Sequence, residues 1–270
     1  MKPAIAAASL AALLVAACHS EATREKIANM EAGQENSASA PSPAAAAPFL
    51  VEQKDDLLDF AYGWSAEAAA VPELADRFEQ SMTRWKAELS KAAAEGKALS
   101  EEQGREFNGY LGSTLWTTAG QSPRLLSLVS ETESYTGGAH GNHGSSTLLW
   151  DRAAKREIKL ANLFASPATR DALLRERWCA DLDKARAEKR GAPVGNDSMF
   201  DQCPPLNEIS IAPTDKDGDG MFERLTLIAD PYVAGPWAEG DYVVELPVTA
   251  ALVAALKPDY RASFAAAQPQ

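Results

Sequence analysis

The sequence predicts an α+β fold with a mainly antiparallel sheet, two long helices and a short C-terminal helix. Segments with apolar residues at alternate positions are typical of strands, and segments with apolar residues three or four apart are typical of helices. The two kinds of segment occur in groups and do not alternate strictly, which favours α+β over α/β. Hydrophobic residues make up 46% of the 270 residues, which is enough for a sizeable core.

The first 18 residues have the organisation of a bacterial signal peptide. Lys2 precedes an apolar stretch over 4–17, which is too short to span a bilayer as a mature helix. The stretch ends in VAAC at Cys18, and small residues before a cysteine resemble a lipobox, in which the thiol is acylated. The alternative is an ordinary secretory signal in which Cys18 has no role.

The lipobox interpretation makes Cys18 a lipidation site. His19 and Ser20 follow it, and by analogy with Gram-negative sorting the lack of an aspartate here favours the outer membrane. We therefore expect a lipoprotein anchored in the inner leaflet of the outer membrane, with its body facing the periplasm.

A flexible linker is expected over 19–49, because this segment is polar and then rich in Ala, Pro and Ser. The remaining chain, 50–265, is long enough for one large domain or for two subdomains divided near residue 165. The formal charge is −12, and loss of Lys2 with the signal makes it −13. This charge excludes general electrostatic binding to nucleic acid or anionic lipid, and it either attracts a basic partner or only keeps the protein soluble.

The first half of the domain is predicted to contain one long helix among strands. Pro72 suits the first turn of the helix, which continues to about Gly96 with apolar residues three or four apart. Alternating apolar or aromatic residues predict strands over 56–69, 107–118, 125–135 and 147–150, the last forming a hairpin with 157–160.

The second half is predicted to open on a second long helix. Ser166 and Pro167 suit its cap and first position, and the basic residues Lys189 and Arg190 before Gly191 suit its end. Three strands are expected over 208–212, 224–229 and 242–246, followed by a short helix over 249–256.

Cys179 and Cys203 form an even pair in an exported chain, and such pairs are most simply disulfides. The alternative is a metal-binding or catalytic thiol. A disulfide would stabilise the fold by closing a loop that is open in the reduced unfolded chain.

Two of the three histidines lie in the tract SYTGGAHGNHG, residues 134–144. His140 and His143 could be a metal pair or a general base, but no third ligand follows at motif spacing and no Gly-x-Ser-x-Gly elbow is present. The alternative is a loop shaped by its glycines for structure or recognition. We predict that the tract binds a ligand through Tyr135, Gly137, Gly138, His140 and His143. His140 is the minority candidate for catalysis.

The segment DKDGDGMFE, residues 215–223, has the spacing of a calcium loop. It offers oxygen ligands at its first, third, fifth, seventh and ninth positions, which are Asp215, Asp217, Asp219, the backbone of Met221, and Glu223. Thr226 stands where an EF-hand needs a bidentate glutamate, so a structural Ca²⁺ would be held in a shorter loop between strands. The alternative is a solvated Asp/Gly hairpin without metal.

Four short stretches carry a family resemblance: YTGGAH at 135–140, LWD at 149–151, IKL with LF over 158–164, and PYVAGPWAEG at 231–240. Their order and spacing resemble a family of bacterial cell-envelope domains. It includes the lysozyme-binding ectodomain of the anti-sigma factor RsiV and the non-catalytic N-terminal region of the peptidoglycan deacetylase PdaC. The family's PY-x-x-x-PY-A-x-G pattern has Trp237 in place of its second tyrosine. The resemblance implies an α+β envelope domain and, in one branch, recognition of lysozyme, but no shared reaction.

Two functional hypotheses follow. The first is a non-enzymatic envelope lipoprotein that binds a protein or a cell-wall component, with a basic lysozyme-type muramidase as the sharpest candidate. The second is a hydrolase that acts on peptidoglycan or its substituents through His140 and nearby carboxylates.

Overall fold

The computed structural model describes residues 21–38, 46–195 and 198–267. The predicted signal peptide and Cys18 lie outside these residues. The helices are α1 (Glu21–Ala38), α2 (Ala66–Ala69), α3 (Pro72–Glu102), α4 (Pro167–Arg190) and α5 (Ala250–Ala255). The strands are β1 (Phe49–Lys54), β2 (Leu58–Trp64), β3 (Tyr110–Gln121), β4 (Leu125–Tyr135), β5 (Asn142–Asp151), β6 (Arg156–Ile158), β7 (Ser210–Thr214), β8 (Arg224–Ala229) and β9 (Tyr242–Pro247).

The strands form two sheets, which confirms the predicted α+β class. Strands β1 to β6 make a six-stranded sheet in chain order, and β7 to β9 make a three-stranded antiparallel sheet. Every pair in the larger sheet is antiparallel except β2 with β3. The parallel pair needs a crossover connection, which α2 and α3 provide.

One face of the six-stranded sheet is covered by α3. Strand residues at alternate positions pack on the apolar stripe of the helix, whose buried members include Leu74, Phe78 and Leu89. The strand residues in this cluster are Leu58, Phe60, Tyr62, Trp64, Leu126, Leu128, Leu148 and Trp150.

The opposite face, which we call the back face, is covered in two parts. Beside β4 to β6 it packs on α4 and the three-stranded sheet, with Leu125, Leu149 and Ile158 in one cluster with Leu174 and Trp178. Beside β2 and β3 it packs on α1, in the cluster Ile27, Met30, Ala61 and Leu115.

The predicted linker over 19–49 is therefore wrong where the structure describes it. Glu21–Ala38 is helical, and Thr23, Ile27 and Met30 are buried. These three residues are four and three apart, so they share one helix face. The average polar composition of the segment hides this narrow apolar stripe. Phe49 already begins β1, a strand that the sequence did not indicate.

Several element boundaries differ from the predictions. α3 continues past Gly96 to Glu102, so this glycine does not end the helix. It allows close approach of Tyr110, since a Cβ at residue 96 would lie 2.5 Å from the Tyr110 hydroxyl. The predicted strand 56–69 is the strand β2 followed by α2. β5 begins at Asn142 and not at residue 147, so His143 lies in a strand.

The second long helix is confirmed in position and in its capping. The Ser166 side chain accepts from the backbone of Thr169, and Gly191 ends the helix with φ 65°. The disulfide is also confirmed: Cys179 on α4 is bonded to Cys203, and their Cα atoms are 5.5 Å apart.

The division near residue 165 falls directly before α4, and it stays a prediction. Among the described helices, none has the length and apolar composition needed to cross a bilayer.

Candidate functional site

The tract 134–144 is the connection of the β4–β5 hairpin. Ser134 pairs with Asn142, and the turn between them contains Gly137 and Gly138 at φ 94° and 102°. No atom lies within 4 Å of a Cβ built at either glycine. Glycine is therefore needed here for its backbone conformation and not for space.

His140 lies exposed on this turn and packs against the segment 231–240. Its ring stacks on Trp237 with centroids 4.4 Å apart and planes 17° apart. Its Nδ1 donates to the carbonyl of Gly141 at 2.8 Å, and Tyr232 Oη lies 3.5 Å from its Nε2. Tyr232 is 56% exposed. We call His140, Tyr232 and Trp237 the aromatic platform.

His143 lies in a different environment, half-buried on the back face. Its Nε2 donates to Oδ2 of Asp241 at 2.8 Å. Glu133 faces it directly across the β4–β5 pair. The hydrogen bond to Asp241 raises the pKa of His143, burial opposes this, and the negative charges of Asp241, Glu131 and Glu133 add to the rise. His143 thus joins the sheet to the segment that follows the platform.

Two carboxylates, Asp230 and Asp241, flank the segment 231–240 and attach it to β5. Both oxygens of Asp230 accept from the backbone N–H of Ser145 at 2.9 Å. The remaining carboxylate oxygen of Asp241, Oδ1, is buried without a hydrogen-bond partner among the described residues. Segment 231–240 is therefore attached to β5 at both of its ends.

The basic end of α4 holds the middle of the same segment. Arg190 donates to both carboxylate oxygens of Glu239, at 3.0 and 3.1 Å, and to Asp201 at 2.8 Å. The hydrogen bonds with Glu239 raise the pKa of Arg190. Arg186, which is fully buried, donates to the carbonyl of Ala234 at 3.0 Å.

Glu239 and Tyr242 complete this polar network. Burial alone would raise the pKa of Glu239, but the hydrogen bonds from Arg190 and Tyr242 outweigh it and lower the pKa. Burial, together with the bond to Glu239, raises the pKa of Tyr242 to about 12. Gly235 lies so close to Glu239 and Tyr242 that a Cβ would overlap both side chains. The platform is thus carried on a rigidly held loop.

The other side of the turn borders a cavity of about 340 Å³. Tyr135, Gly137 and Gly138 line it together with Phe107 and Tyr110, near the C-terminal end of α3. The Tyr135 hydroxyl donates to the carbonyl of Gly138 at 3.2 Å. The rings of Phe107 and Tyr110 are 5.4 Å apart.

The five predicted ligand-binding residues are therefore divided among three environments. Tyr135, Gly137 and Gly138 line the cavity, His140 is in the platform, and His143 is bonded to Asp241. Within the described residues, neither histidine belongs to a group of three side chains close enough to share a metal. A ligand-binding role for these residues stays a prediction.

The predicted calcium loop connects β7 to β8. Carboxylate oxygens of Asp215, Asp217 and Glu223 lie within 4.8 Å of one another, whereas Asp219 is not part of this group. Asp215 accepts from the backbone of Gly218 and Gly220, at 2.8 and 3.0 Å. These three carboxylates could hold a cation, and a role for Asp219 and for the Met221 carbonyl stays a prediction.

Sequence reasoning did not identify the residues that hold the platform, namely Asp230, Asp241, Arg186 and Arg190. A signal for part of the site was present. Two of the four stretches that carry the resemblance, 135–140 and 231–240, contact each other through His140 and Trp237. The two arginines, four residues apart on a helix, share one face of α4.

Part of the sequence and the fold are similar to those of known proteins. Residues 21–143 match the model of the family described as Deacetylase PdaC. The sequence has no significant match among curated proteins. The fold is similar to the crystal structure of a DUF3298 family protein from Pseudomonas aeruginosa PAO1, with 18% identity and a TM-score of 0.50 over 79% of this chain and 93% of that chain. A DUF3298 family member from Bacteroides fragilis NCTC 9343 aligns at 17% identity and a TM-score of 0.41, over 74% of this chain and 89% of that chain.

Proposed function

Residues 21–143 match the family described as Deacetylase PdaC, and from this match we propose that the protein is a non-enzymatic envelope lipoprotein whose aromatic platform binds a partner. The observation that carries the proposal is the cluster of the His140, Trp237 and Tyr232 rings on a loop held at both ends, in which His140 and Tyr232 are exposed and Trp237 is half-buried. Tyrosine and tryptophan are enriched among the residues that dominate binding energy at protein interfaces. A rigid mounting reduces the entropy that binding must overcome.

A basic lysozyme-type muramidase is the partner that we propose first. The formal charge of −12 favours encounter with a basic protein, and the RsiV branch of the resembling family recognises lysozyme. Association driven in part by charge is faster at low salt than at high salt.

The test is retention of purified lysozyme by the immobilised protein at low and at high salt. We expect retention that falls with salt, and a loss of about thirtyfold in affinity for Trp237→Ala, as for an interface residue worth about 2 kcal/mol. Val243→Ala is the matched control, because Val243 is 54% exposed and lies outside the platform. Absence of retention at both salt concentrations excludes this partner.

A cell-wall component is the second candidate, and the cavity beside Tyr135 favours it. A sugar ring has an apolar face that stacks on aromatic rings and a polar edge that hydrogen-bonds, and the cavity offers Phe107 and Tyr110 together with the polar side chain of Asn108. Co-sedimentation with purified sacculi is expected to weaken for Phe107→Ala and to persist for Trp237→Ala. The reverse order would assign wall binding to the platform.

The hydrolase hypothesis is tested with the same sacculi. If His140 acts as a catalytic base, turnover by the wild type exceeds that of His140→Ala. Equal product from both proteins rejects the hypothesis.

Lipid attachment at Cys18 is proposed from the lipobox resemblance and is tested separately. Metabolic labelling with a tagged fatty acid is expected to mark the wild type and not Cys18→Ser. Fractionation of the labelled protein with the outer membrane would support the proposed location, and recovery with the inner membrane would contradict it.

A further inference from the structure

A second cavity shares no lining residue with the platform and lies where the six-stranded sheet meets α4 and the smaller sheet. It has a volume of about 280 Å³ and is bordered by β5, by β6 and the turn after it, by the first turns of α4, and by the segment leading into β7. Its apolar lining includes Leu149, Ile158, Leu160, Ile209 and Ile211. Pockets at interfaces between structural units are preferred places for small ligands.

One cation lines this cavity from a buried position. Arg170, on the second turn of α4, is only 9% exposed. Its Nε and Nη2 both contact one carboxylate oxygen of Asp171, at 2.7 and 2.6 Å. Asp171 is the adjacent residue, and its side chain is 44% exposed, so this partner lies towards solvent.

The guanidinium therefore retains donors that Asp171 does not use. Arginine has five N–H donors, and Nη1 of Arg170 has no hydrogen bond to any described residue. Asp171 supplies one anion to this charge, and Nη1 is not fully buried, so it remains accessible to a further acceptor. Two exposed residues add opposite charges at the lining: Lys159 is positive, and Glu157 is negative and pairs with Arg77.

These observations define one class of ligand. Arginine binds carboxylates through paired hydrogen bonds of fixed geometry. The side chains of Leu149, Ile158 and Ile209 offer contact to an apolar body on the ligand, and the buried Arg170 suits a single negative charge. We propose that this cavity binds a small monocarboxylate with an aliphatic body, with the carboxylate on Arg170 and the hydrocarbon against Leu149, Ile158 and Ile209.

The experiment uses the full chain purified after export and titrated with octanoate. Amide chemical shifts in ¹H–¹⁵N spectra locate the ligand, and calorimetry measures the affinity. We expect the amides of Thr147, Leu149 and Ile209 to shift first. Octan-1-ol has the same body without the charge, and it should bind about tenfold or more weakly, as the loss of a hydrogen bond to a charged group predicts.

Variants distinguish binding at this cavity from nonspecific hydrophobic binding. Arg170→Gln should weaken octanoate about tenfold or more, whereas Arg177→Gln should not change it, because Arg177 is exposed on the same helix and pairs only with Asp181 among the described residues. Ile209→Phe fills the cavity without changing its charge and should block octanoate. It decides the question if Arg170→Gln does not fold.

Three results would overturn the proposal. They are no shift of the lining amides up to about 10 mM octanoate, which corresponds to negligible affinity, equal binding by wild type and Arg170→Gln, and undiminished binding by a folded Ile209→Phe. None of them bears on partner binding at the platform, which is measured with other variants.

Discussion

His140 and His143 show how far two residues close in sequence can differ in chemistry. The first stacks on Trp237 in an exposed turn, and the second donates to Asp241 from a strand. The hydrogen bond to Asp241 raises the pKa of His143, so the imidazole binds its proton more tightly in the folded protein than in the unfolded chain. This interaction stabilises the fold fully below the unfolded pKa of about 6.5, and the contribution is lost as pH rises through the folded pKa.

We predict that His143→Gln destabilises the protein by about 1–2 kcal/mol near pH 5.5, as expected for a charge-assisted hydrogen bond, and by clearly less at pH 8.5. Urea unfolding at both pH values measures the difference. His140→Gln is the matched control, because the His140 ring contacts a carbonyl and two aromatic rings and no carboxylate is among its described partners. A His143 pKa below that of a free imidazole, measured by NMR titration, would contradict the prediction.

The sequence identified the tract 134–144 but did not show what its two histidines contact. Glycines, tyrosine and histidines indicated a shaped loop, and the structure places it in a hairpin turn. The partner of His143 lies 98 residues later in the chain, so no local pattern could reveal it. Its strand location was also missed, because the polar stretch 142–146 does not alternate in hydrophobicity, although it pairs fully with β4.

Among the elements, the β7–β8 loop is the one for which we propose a metal. Asp215, Asp217 and Glu223 converge, and Oε2 of Glu223 is buried without a hydrogen-bond partner among the described residues. A Ca²⁺ ion bound only in the folded state stabilises it in proportion to the logarithm of the ion concentration.

Millimolar Ca²⁺ is therefore expected to raise the melting temperature by about 5 °C, as for a ligand at roughly a hundred times its dissociation constant. Asp217→Ala should remove the rise. Asp219→Ala should retain it, because Asp219 is not part of the converging group. Differential scanning calorimetry decides, and an unchanged melting temperature for the wild type would exclude the site.

Helix α1 is the element for which the prediction from composition was furthest from the structure, because a flexible linker was expected there. Gly63 leaves room for Met30, since a Cβ at this position would lie 2.8 Å from the Met30 sulfur. Fit of this kind depends on a strand some thirty residues later, and average polarity does not report it. In contrast, α4 was predicted to the residue, because its cap, proline and terminal glycine are local signals.

Met30→Ala should lower the free energy of unfolding by about 2 kcal/mol, the lower end for a buried methionine. Glu25→Ala, on the exposed face of the same helix, should change it by less than about 0.5 kcal/mol. Chemical denaturation of both variants measures the effect. Equal stability of Met30→Ala and the wild type would show that α1 does not pack on the back face in solution.

For the whole molecule, the back face of the six-stranded sheet is the surface on which two separate parts of the chain pack. It receives α1 beside β2 and β3, and α4 with the smaller sheet beside β4 to β6. The grouping of strands and helices was sufficient to predict the class. The sequence did not predict that α1, α4 and the smaller sheet pack side by side on one face, since this arrangement depends on contacts between residues far apart in the chain.

The disulfide is expected to matter for the whole molecule because it closes a loop of 24 residues between α4 and the segment before β7. Replacing both cysteines by serine should lower the free energy of unfolding by about 3 kcal/mol, as loop-closure entropy predicts. Thermal or urea unfolding of the double variant against the oxidised wild type measures this. A loss below about 1 kcal/mol would contradict the estimate.

The position of this bond also connects it to the platform through a series of contacts. Cys203 is two residues after Asp201, Asp201 binds Arg190, and Arg190 holds Glu239 in the loop that presents Trp237. Oxidation of the cysteines thus fixes the first member of a series of contacts whose last member is the exposed platform. A chain whose thiols are still reduced would lack this covalent constraint, so one of the supports of the platform would be complete only after oxidation, whereas the bonds of Asp230 and Asp241 to β5 would not depend on it.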